Sequence, residues 1–314
     1  MPLCFSIGRF YMALIEKTFS SGEIIINEGD MGSSFFRILD GRAYVFSNYG
    51  KKDQFQLAVL DAGEYVGEMA ILEEYPRSAT IVASGHTRVV EIPADDMGSY
   101  FEENPDQILE LMKHLGGRIQ AMNKDYNDAQ ALLKELRESD QNKNKKSLFS
   151  KIKKHMDIYQ NNKDKITAPN SDALRTTLEG TSDDGFGKIE SYDPGTVIFN
   201  EGDTGNSMYI LHIGTVGLYQ NYGESNEVKI AELGDNSFFG EMGMLTDERR
   251  TATAVTESDD TYVEIICPED LEAIFRSCPL KIIMILRYLS YRVRRLNADF
   301  LYACKEITET YGAK

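Results

Sequence analysis

The chain has 314 residues, which is too long for one ordinary hydrophobic core and suits two domains of roughly 100–150 residues each. Its 34 Lys and Arg against 50 Asp and Glu give a formal net charge of −16, which argues against a general binder of nucleic acid or of an anionic membrane. The four cysteines are scattered without a Cys-x-x-Cys pair, so neither a disulfide framework nor a zinc site is expected.

The N-terminal residues 1–14 lack the apolar run and the cleavage site of a signal peptide. No run elsewhere reaches the length that a membrane helix requires. We therefore expect a cytoplasmic protein that has neither a membrane nor a nucleic acid as its partner. Met12 is a candidate start of the natural protein, in which case residues 1–11 contribute little.

An internal repeat predicts the architecture of the chain. The segment 21–32 matches 194–205, and the same offset of 173 residues persists without a gap to Glu91-Ile92 and Glu264-Ile265. We place the first copy at 12–137, a Lys/Asn-rich linker at 138–187 and the second copy at 188–314. The linker has one short apolar stripe at helical spacing, so we interpret it as solvated chain with one helical segment.

Each copy begins with short apolar runs separated by turn residues. In the first copy the runs 35–39 and 43–46 flank Asp40-Gly41, and an Asp-Gly between apolar runs favours a hairpin. Further runs follow at 57–60, 79–83 and 89–92. Six or more short strands at this spacing predict an antiparallel sandwich or barrel, which is mainly β with added helix.

The period then changes from two to about 3.6 residues. From Asp106 the apolar residues recur every three or four positions, which predicts one amphipathic helix of about 30 residues opened by Asn104-Pro105. The second copy has a counterpart from Pro279, and its first turns, 280–289, are apolar almost all round. We expect that surface to be buried against its own barrel or against a partner.

Both copies also contain a Gly-Glu pair that is followed nine residues after the Glu by an Arg. These residues are Gly67, Glu68 and Arg77 in the first copy and Gly240, Glu241 and Arg250 in the second. A short helical turn after the Gly would point free backbone N–H groups at an anion, and the Arg fork suits two phosphate oxygens. The Glu can accept a hydrogen bond from a hydroxyl. The pattern predicts a ligand with one phosphate and an adjacent hydroxyl that is held and not transformed.

With these residues the chain resembles the cyclic nucleotide-binding domain family. The family's phosphate-binding cassette reads Phe-Gly-Glu, an apolar residue, Ala or Gly, and Leu, and then Arg, a small residue, Ala and Thr. Segments 239–245 and 250–253 fit this pattern, and so do 67–72 and 76–80, with Val66 where Phe is usual. The resemblance covers residues 18–136 and 188–312, and is to the receptor part of protein kinase A regulatory subunits and to the sensor domain of Crp-type regulators.

The resemblance implies two β-rolls of the jelly-roll (double-stranded β-helix) type, each followed by a long C-terminal helix. It also implies that the Glu accepts from the ribose 2′-hydroxyl and that the Arg pairs with the cyclic phosphate. The implied ligand-binding residues are Gly67, Glu68, Met69, Ala70, Arg77, Ser78 and Ala79 in site 1 and Gly240, Glu241, Met242, Gly243, Arg250, Thr251 and Ala252 in site 2.

The choice of base stays open between cAMP and cGMP, with cAMP favoured. Ser78 and Thr251 follow the cassette Arg, and hydroxyls there accompany guanine preference in some eukaryotic-type members of the family, while Ser is compatible with adenine in bacterial-type ones. When the long helices are aligned through their opening prolines, Arg118 corresponds to Arg292 and Asp125 corresponds to Asp299. We interpret the two Asp residues as solvent-facing.

No nucleophile–base pair, metal-ligand cluster or further effector module is apparent, so we expect no enzyme, no metal and no cofactor other than the nucleotide ligand. The sequence favours a non-catalytic sensor with two sites that signals to a separate protein effector when its long helices repack. Those helices are also candidates for self-association. The alternative is an interaction scaffold whose sites are vestigial or bind another anion, such as a cyclic dinucleotide.

Overall fold

A computed structural model of the protein describes residues 15–52, 54–73, 75–139, 149–163, 188–246 and 248–311. They divide into two compact units, one within Met1–Tyr100, Arg118–Pro169 and Leu289–Lys314, the other within Phe101–Gly117 and Asn170–Tyr288. The limits 12–137 and 188–314 follow the repeat along the chain and not this packing, so they stay a prediction. The candidate start at Met12 lies outside the described residues.

The first unit contains a six-stranded antiparallel roll. Its strands are β1 (Ile15–Phe19), β2 (Ile24–Ile26), β3 (Ser34–Ser47), β4 (Phe55–Asp61), β5 (Tyr65–Val66) and β6 (Thr80–Pro93). The spatial order is β1-β6-β3-β4, with β2 on β6 and β5 on β3. The inward side chains form one apolar core, whose members are Ile26, Phe36, Ile38, Ala43, Val66, Ile81 and Val89.

The hairpin predicted at Asp40-Gly41 is wrong. Both residues lie inside β3, which runs without reversal and pairs with β6 along its length, while the register shifts on either side of Asp40. Gly41 has a φ of 84°, and a Cβ there would lie 2.3 Å from the carbonyl oxygen of His86. The glycine therefore forms a bulge that bends the strand around the roll, and not a turn that reverses it.

The second unit contains the counterpart roll, in which the same bends appear as breaks between strands. Its strands are β7 (Lys188–Tyr192), β8 (Val197–Phe199), β9 (Met208–Ile213), β10 (Val216–Gln220), β11 (Val228–Leu233), β12 (Ser237–Phe239), β13 (Thr253–Thr256) and β14 (Thr261–Ile266). They form two antiparallel sheets, β11-β10-β13-β8 and β12-β9-β14-β7. Tyr209, Leu211, Phe239 and Val263 lie at the centre of the core between them.

Seven α-helices complete the described part of the chain. They are α1 (Glu68–Glu73), α2 (Met97–Glu103), α3 (Asp106–Ser139), α4 (Phe149–Asn162), α5 (Glu241–Leu245), α6 (Leu271–Ser277) and α7 (Pro279–Tyr311). The two long helices α3 and α7 begin where the change of period predicts them. The expected fold class, two antiparallel β-rolls each followed by a long helix, is confirmed.

The distal parts of α3 and α7 lie in the first unit and share one apolar cluster with α4. Leu132 and Leu133 of α3 and Cys304 and Ile307 of α7 are almost fully buried, and Tyr159 of α4 packs against the cluster. The linker therefore contains the predicted helical segment, but Ile152 and Tyr159 of its apolar stripe are packed and not solvated. The same packing covers much of the apolar stripe that the sequence offers for self-association.

The first turns of α7 lie in the second unit and are buried, as the all-round apolar pattern of 280–289 predicts. Residues 282–286 are at most 2% exposed. Lys281 joins them and donates to both carboxylate oxygens of Glu264 on β14, at 2.9 and 3.2 Å. A buried ion pair of this kind fixes the position of a helix more than it stabilises the fold, because desolvation opposes the Coulomb attraction.

Candidate functional site

The Gly-Glu pair of each copy lies where a strand turns into a short helix. In the first roll Gly67 joins β5 to α1 with a φ of 81°, and in the second roll Gly240 joins β12 to α5 with a φ of 70°. A Cβ at Gly67 would lie 2.4 Å from Nη1 of Arg77, and one at Gly240 would lie 2.8 Å from Nη1 of Arg250. Glycine is thus required both by the backbone conformation and by the Arg beside it.

The two cassette arginines are buried inside their rolls, at 6% and 5% exposure. Arg77 donates from Nη1 to the carbonyl oxygen of Gly67 at 2.5 Å and from Nη2 to the carbonyl oxygen of Ser34. Arg250 makes the same pair of bonds, to Gly240 and, at 2.9 Å, to Ser207. Each guanidinium is therefore fixed by the backbone at both ends of its fork.

Burial lowers the pKa of Arg77 below its ordinary value, while Glu68 and Asp30 act in the opposite direction. Burial likewise lowers the pKa of Arg250, opposed by Tyr209 and Asp203. An arginine loses its proton only far above neutral pH, so both groups stay cationic. Each roll therefore holds a buried, oriented positive charge.

The repeated Asn-Glu-Gly-Asp turn fixes the backbone of these arginines. In the first roll Gly29 N donates to the carbonyl of Arg77 at 2.8 Å, and Arg77 N donates to the carbonyl of Asp30 at 2.9 Å. In the second roll Gly202 and Asp203 form the same two bonds with Arg250, each at 2.8 Å. The Asn-Glu-Gly-Asp turn thus fixes the backbone of the cassette Arg in both rolls, which explains why the two motifs occur together in both copies.

The threonine that closes each cassette supports the same turn. Thr80 Oγ1 accepts from Glu28 N at 3.1 Å, and the Glu28 carboxylate accepts from Asn48 N at 2.8 Å. Asn48 has a φ of 54°, a left-handed conformation that Asn adopts more readily than most residues. Thr253 Oγ1 accepts from Glu201 N in the second roll at 2.9 Å. These threonines hold the scaffold of the site.

The cassette glutamates are buried as well, Glu68 at 1% and Glu241 at 3% exposure. Arg118 of α3 donates from Nη1 to Oε1 of Glu68 at 3.1 Å. The sequence aligned Arg118 with Arg292 but assigned no role to it. The position of Arg118 on the helix does not indicate a contact with a carboxylate fifty residues earlier in the chain. The observed bond to Glu68 adds Arg118 to site 1.

The remaining predicted residues surround these charges. Ser78 and Thr251 are exposed beside their arginines, Ala79 and Ala252 are buried, and Met69 and Met242 are half-buried. These residues flank the charged groups, and their contacts with a ligand stay a prediction.

Sequence reasoning missed two glycines that make room for the arginines. A Cβ at Gly32 would lie 1.9 Å from Nη2 of Arg77, and one at Gly205 would lie 2.4 Å from Nη2 of Arg250. Both are equivalent positions of the repeat, so the signal was present as a matched glycine outside the cassette.

The two sites differ around the guanidinium. Gly243 in the second roll would place a Cβ 2.8 Å from Nη1 of Arg250, and the repeat puts Ala70 at that position in the first roll. Arg250 also lies over the Phe199 ring, with Cζ 4.4 Å from the ring centroid. The repeat places Ile26 there in the first roll. Site 2 therefore holds its Arg by a cation–π contact that site 1 lacks at this position.

Each roll can thus present a buried carboxylate and a buried guanidinium beside the first turn of a short helix. This set can accept a hydrogen bond from a hydroxyl and neutralise a phosphate. Among the residues that the structure describes, no group of His, Cys, Asp and Glu could hold a metal ion. The helices within these same ranges include none long and apolar enough to cross a membrane.

The chain is similar to known proteins over both copies of the repeat. The family model described as cyclic nucleotide-binding domain matches residues 16–104 and 189–278. The cAMP-dependent protein kinase regulatory subunit of Dictyostelium discoideum is 25% identical over 81% of this chain and 64% of its own length. The cGMP-dependent protein kinase of Toxoplasma gondii is also 25% identical, over 82% of this chain and 20% of its own length. The chain thus spans less than two thirds of these relatives.

Among solved structures, cAMP-bound PfPKA-R is 19% identical and has a TM-score of 0.36, with coverage of 86% of this chain and 75% of that one.

Proposed function

Because the chain belongs to the cyclic nucleotide-binding domain family, with two copies of the domain, we propose that it is a non-catalytic sensor with two nucleotide sites, of which cAMP is the preferred ligand. In site 1 Glu68 accepts from the ribose 2′-hydroxyl and Arg77 pairs with the cyclic phosphate. Glu241 and Arg250 have the same roles in site 2. The cAMP-dependent regulatory subunits among the relatives support cAMP, while a cGMP-dependent kinase is equally similar, so the binding experiment below decides between the two nucleotides.

One observation carries the proposal. Both rolls keep the same buried Glu and the same buried Arg, and in both the Arg fork is held by the same two carbonyl groups. A surface ion pair needs neither burial nor this scaffold. Burying a charge without a use costs stability, so its repetition in both copies favours a ligand that uses it.

The burial of these groups also suggests how the sensor responds. Glu68 and Arg77 are 1% and 6% exposed, so a nucleotide reaches them only when the groups that cover them move. Arg118 of α3 is one of those groups, because it bonds to Glu68 directly. A ribose hydroxyl on Glu68 competes with Arg118 for the carboxylate, which shifts the population of α3 positions. The repacked helix then contacts a separate protein effector or a second copy of this chain.

The second candidate is an interaction scaffold with vestigial sites or with sites for another anion, such as a cyclic dinucleotide. The observation in its favour is that both guanidinium forks already bond to backbone carbonyls. An arginine used only to brace the roll would show the same bonds.

Thermal unfolding with cAMP, cGMP and cyclic di-nucleotides separates the two. A ligand at one hundred times its Kd stabilises the folded state by about 2.7 kcal/mol per site. In a chain with two units this corresponds to a Tm increase of several degrees. We expect cAMP to produce it and titration calorimetry to give two sites per chain. No shift with either mononucleotide, at millimolar concentration, supports the scaffold instead.

A further inference from the structure

Arg294 and Ser290 of α7 bond to Glu73, at the opposite end of α1 from Glu68, and we call these contacts the Glu73 grip. Glu73 is the last residue of α1, and its Oε2 accepts from Nε of Arg294 on α7 at 2.8 Å. Its Oε1 accepts from the hydroxyl of Ser290, one turn earlier on α7. The Cζ of Arg294 also lies 4.3 Å from the centroid of the Tyr75 ring, just after α1. All four residues belong to the first unit.

This contact is enclosed, unlike most of the ion pairs among the described residues. The side chains of Arg294 and Glu73 are 13% and 10% exposed, and Ser290 is fully buried. Both carboxylate oxygens of Glu73 have a donor, so the charge is satisfied at both lone-pair edges. A pair this shielded from solvent is less sensitive to salt than an exposed one, and like the Lys281–Glu264 pair it fixes position more than it stabilises the fold.

The contact is not part of the repeated site. The repeat places Thr246 where Glu73 stands, and Thr246 bonds inward from its hydroxyl to the carbonyl of Met242 at 2.8 Å. Alignment of the long helices places Gln120 where Arg294 stands. The second cassette therefore lacks the equivalent of the Glu73 grip. In the first cassette the contact comes from α7, the long helix of the second copy.

We infer that Arg294 and Ser290 are positioning residues of nucleotide site 1, which hold α1 where Glu68 and Arg77 are covered. The inference rests on the proposed function. Helix α1 has six residues, begins at Glu68 and ends at Glu73, so it moves as one short piece. A displacement of α1 that uncovers Glu68 has to stretch or break the bonds at Glu73. The grip therefore opposes nucleotide entry at site 1 and lowers its affinity.

The test measures cAMP affinity at site 1 in the full chain with Arg250→Lys as background, which weakens site 2 by about tenfold to 150-fold so that calorimetry resolves site 1 from it. We expect Arg294→Ala and Glu73→Gln each to tighten cAMP binding at least fivefold, measured by titration calorimetry. The double variant should tighten it no further than the stronger single one, because both remove the same contact. Arg294→Lys should lie between, since an ammonium keeps the charge but loses the planar contact with Tyr75.

The matched control is Arg295→Ala, next on the same helix. Arg295 is 65% exposed and pairs only loosely with Asp299, at 3.9 Å. The Arg295→Ala substitution removes the same charge from α7 without removing a contact to the cassette. It should leave the cAMP affinity within twofold of the background. A purely structural role of Arg294 predicts weaker binding with a lower Tm, whereas the grip predicts tighter binding.

Unchanged or weaker cAMP binding in Glu73→Gln that unfolds like the background overturns this inference, even if Arg294→Ala fails to fold. If the unaltered chain binds no cyclic nucleotide, the proposed function fails and the inference fails with it. If the unaltered chain binds and these variants do not differ, the inference alone fails.

Discussion

Replacing one cassette arginine by lysine should remove one nucleotide site and leave the other. Arg77→Lys keeps a positive charge in the roll but loses the planar fork that reaches the carbonyl groups of Gly67 and Ser34 and a phosphate together. Lysine is a better probe than alanine here, because alanine leaves two buried carbonyls without this donor and risks unfolding the roll. Arg250→Lys is the matched change in the second roll.

The size of the effect follows from the burial of the arginine. Arg77 is 6% exposed, so its proposed bond to the phosphate is charge-assisted and shielded from water, and loss of that bond should cost about 1.5–3 kcal/mol. Since about 1.4 kcal/mol is a factor of ten in affinity, site 1 should weaken by about tenfold to 150-fold. Site 2 should keep its affinity, because its own arginine is unchanged.

Titration calorimetry with cAMP resolves the two sites by stoichiometry. We expect two sites per chain in the unaltered protein, one tight site in each single variant, and none in the double variant at the same concentrations. A single variant that keeps two sites of unchanged affinity, with an unchanged Tm, would falsify the assignment of that arginine to the phosphate.

Three further changes test other parts of the reasoning. Glu68→Gln keeps the shape of the side chain but loses the charge that accepts from the ribose hydroxyl, so cAMP binding at site 1 should weaken about tenfold by calorimetry. Gly32→Ala should displace the guanidinium of Arg77 from the carbonyl groups that it holds, and so weaken site 1 and lower the Tm, because the would-be Cβ lies 1.9 Å from Nη2. Burial, with a smaller contribution from Asp125, raises the pKa of the Cys304 thiol from 9.0 to about 12. A thiol whose pKa is raised by folding stabilises the protein fully below about pH 9, and that stability falls by roughly 1 kcal/mol per unit as pH rises toward 12.

The controls for these changes are available in the same chain. Gly205→Ala should weaken site 2 and spare site 1, which is the mirror of Gly32→Ala; loss of both sites in either variant contradicts the local argument. Urea unfolding at pH 8 and pH 10 measures the contribution of the thiol, and Cys304→Ala should lose less stability between these pH values than the unaltered chain. An equal loss in both proteins means that the buried thiol does not contribute to the alkaline decline.

The repeat predicted most of the fold because it compares the chain with itself. Matching segments at a constant offset require matching structures, and the change from strand to helix period marks where α3 and α7 begin. The same reasoning found the Gly-Glu and Arg of both sites. It failed at Asp40-Gly41, because a residue pair that favours positive φ serves a tight turn and a strand bulge equally well. Only the pairing of β3 with β6 decides between them.

The contacts of the long helices could not be predicted in this way. Arg118 and Arg294 look like ordinary charges on an amphipathic helix, and nothing in their spacing points to a carboxylate of α1. The Glu73 grip also occurs in one copy and not in the other, so a comparison of the two copies does not reveal it. Contacts between segments that are far apart in sequence and not repeated depend on how the helices pack, which the sequence pattern does not encode in any local form.

Under the proposed function, helix α1 is the element that connects ligand binding to helix position in the first unit. Arg118 of α3 bonds to its first residue, Glu68, and Arg294 of α7 bonds to its last, Glu73. A ribose hydroxyl that takes the Glu68 carboxylate acts on the same atoms that α3 holds, so no chain of intermediate contacts is needed to carry the signal. Coupling of this kind requires an element with two positions that both partners bias, and our proposal assigns that role to this six-residue helix, which a guanidinium holds at each end.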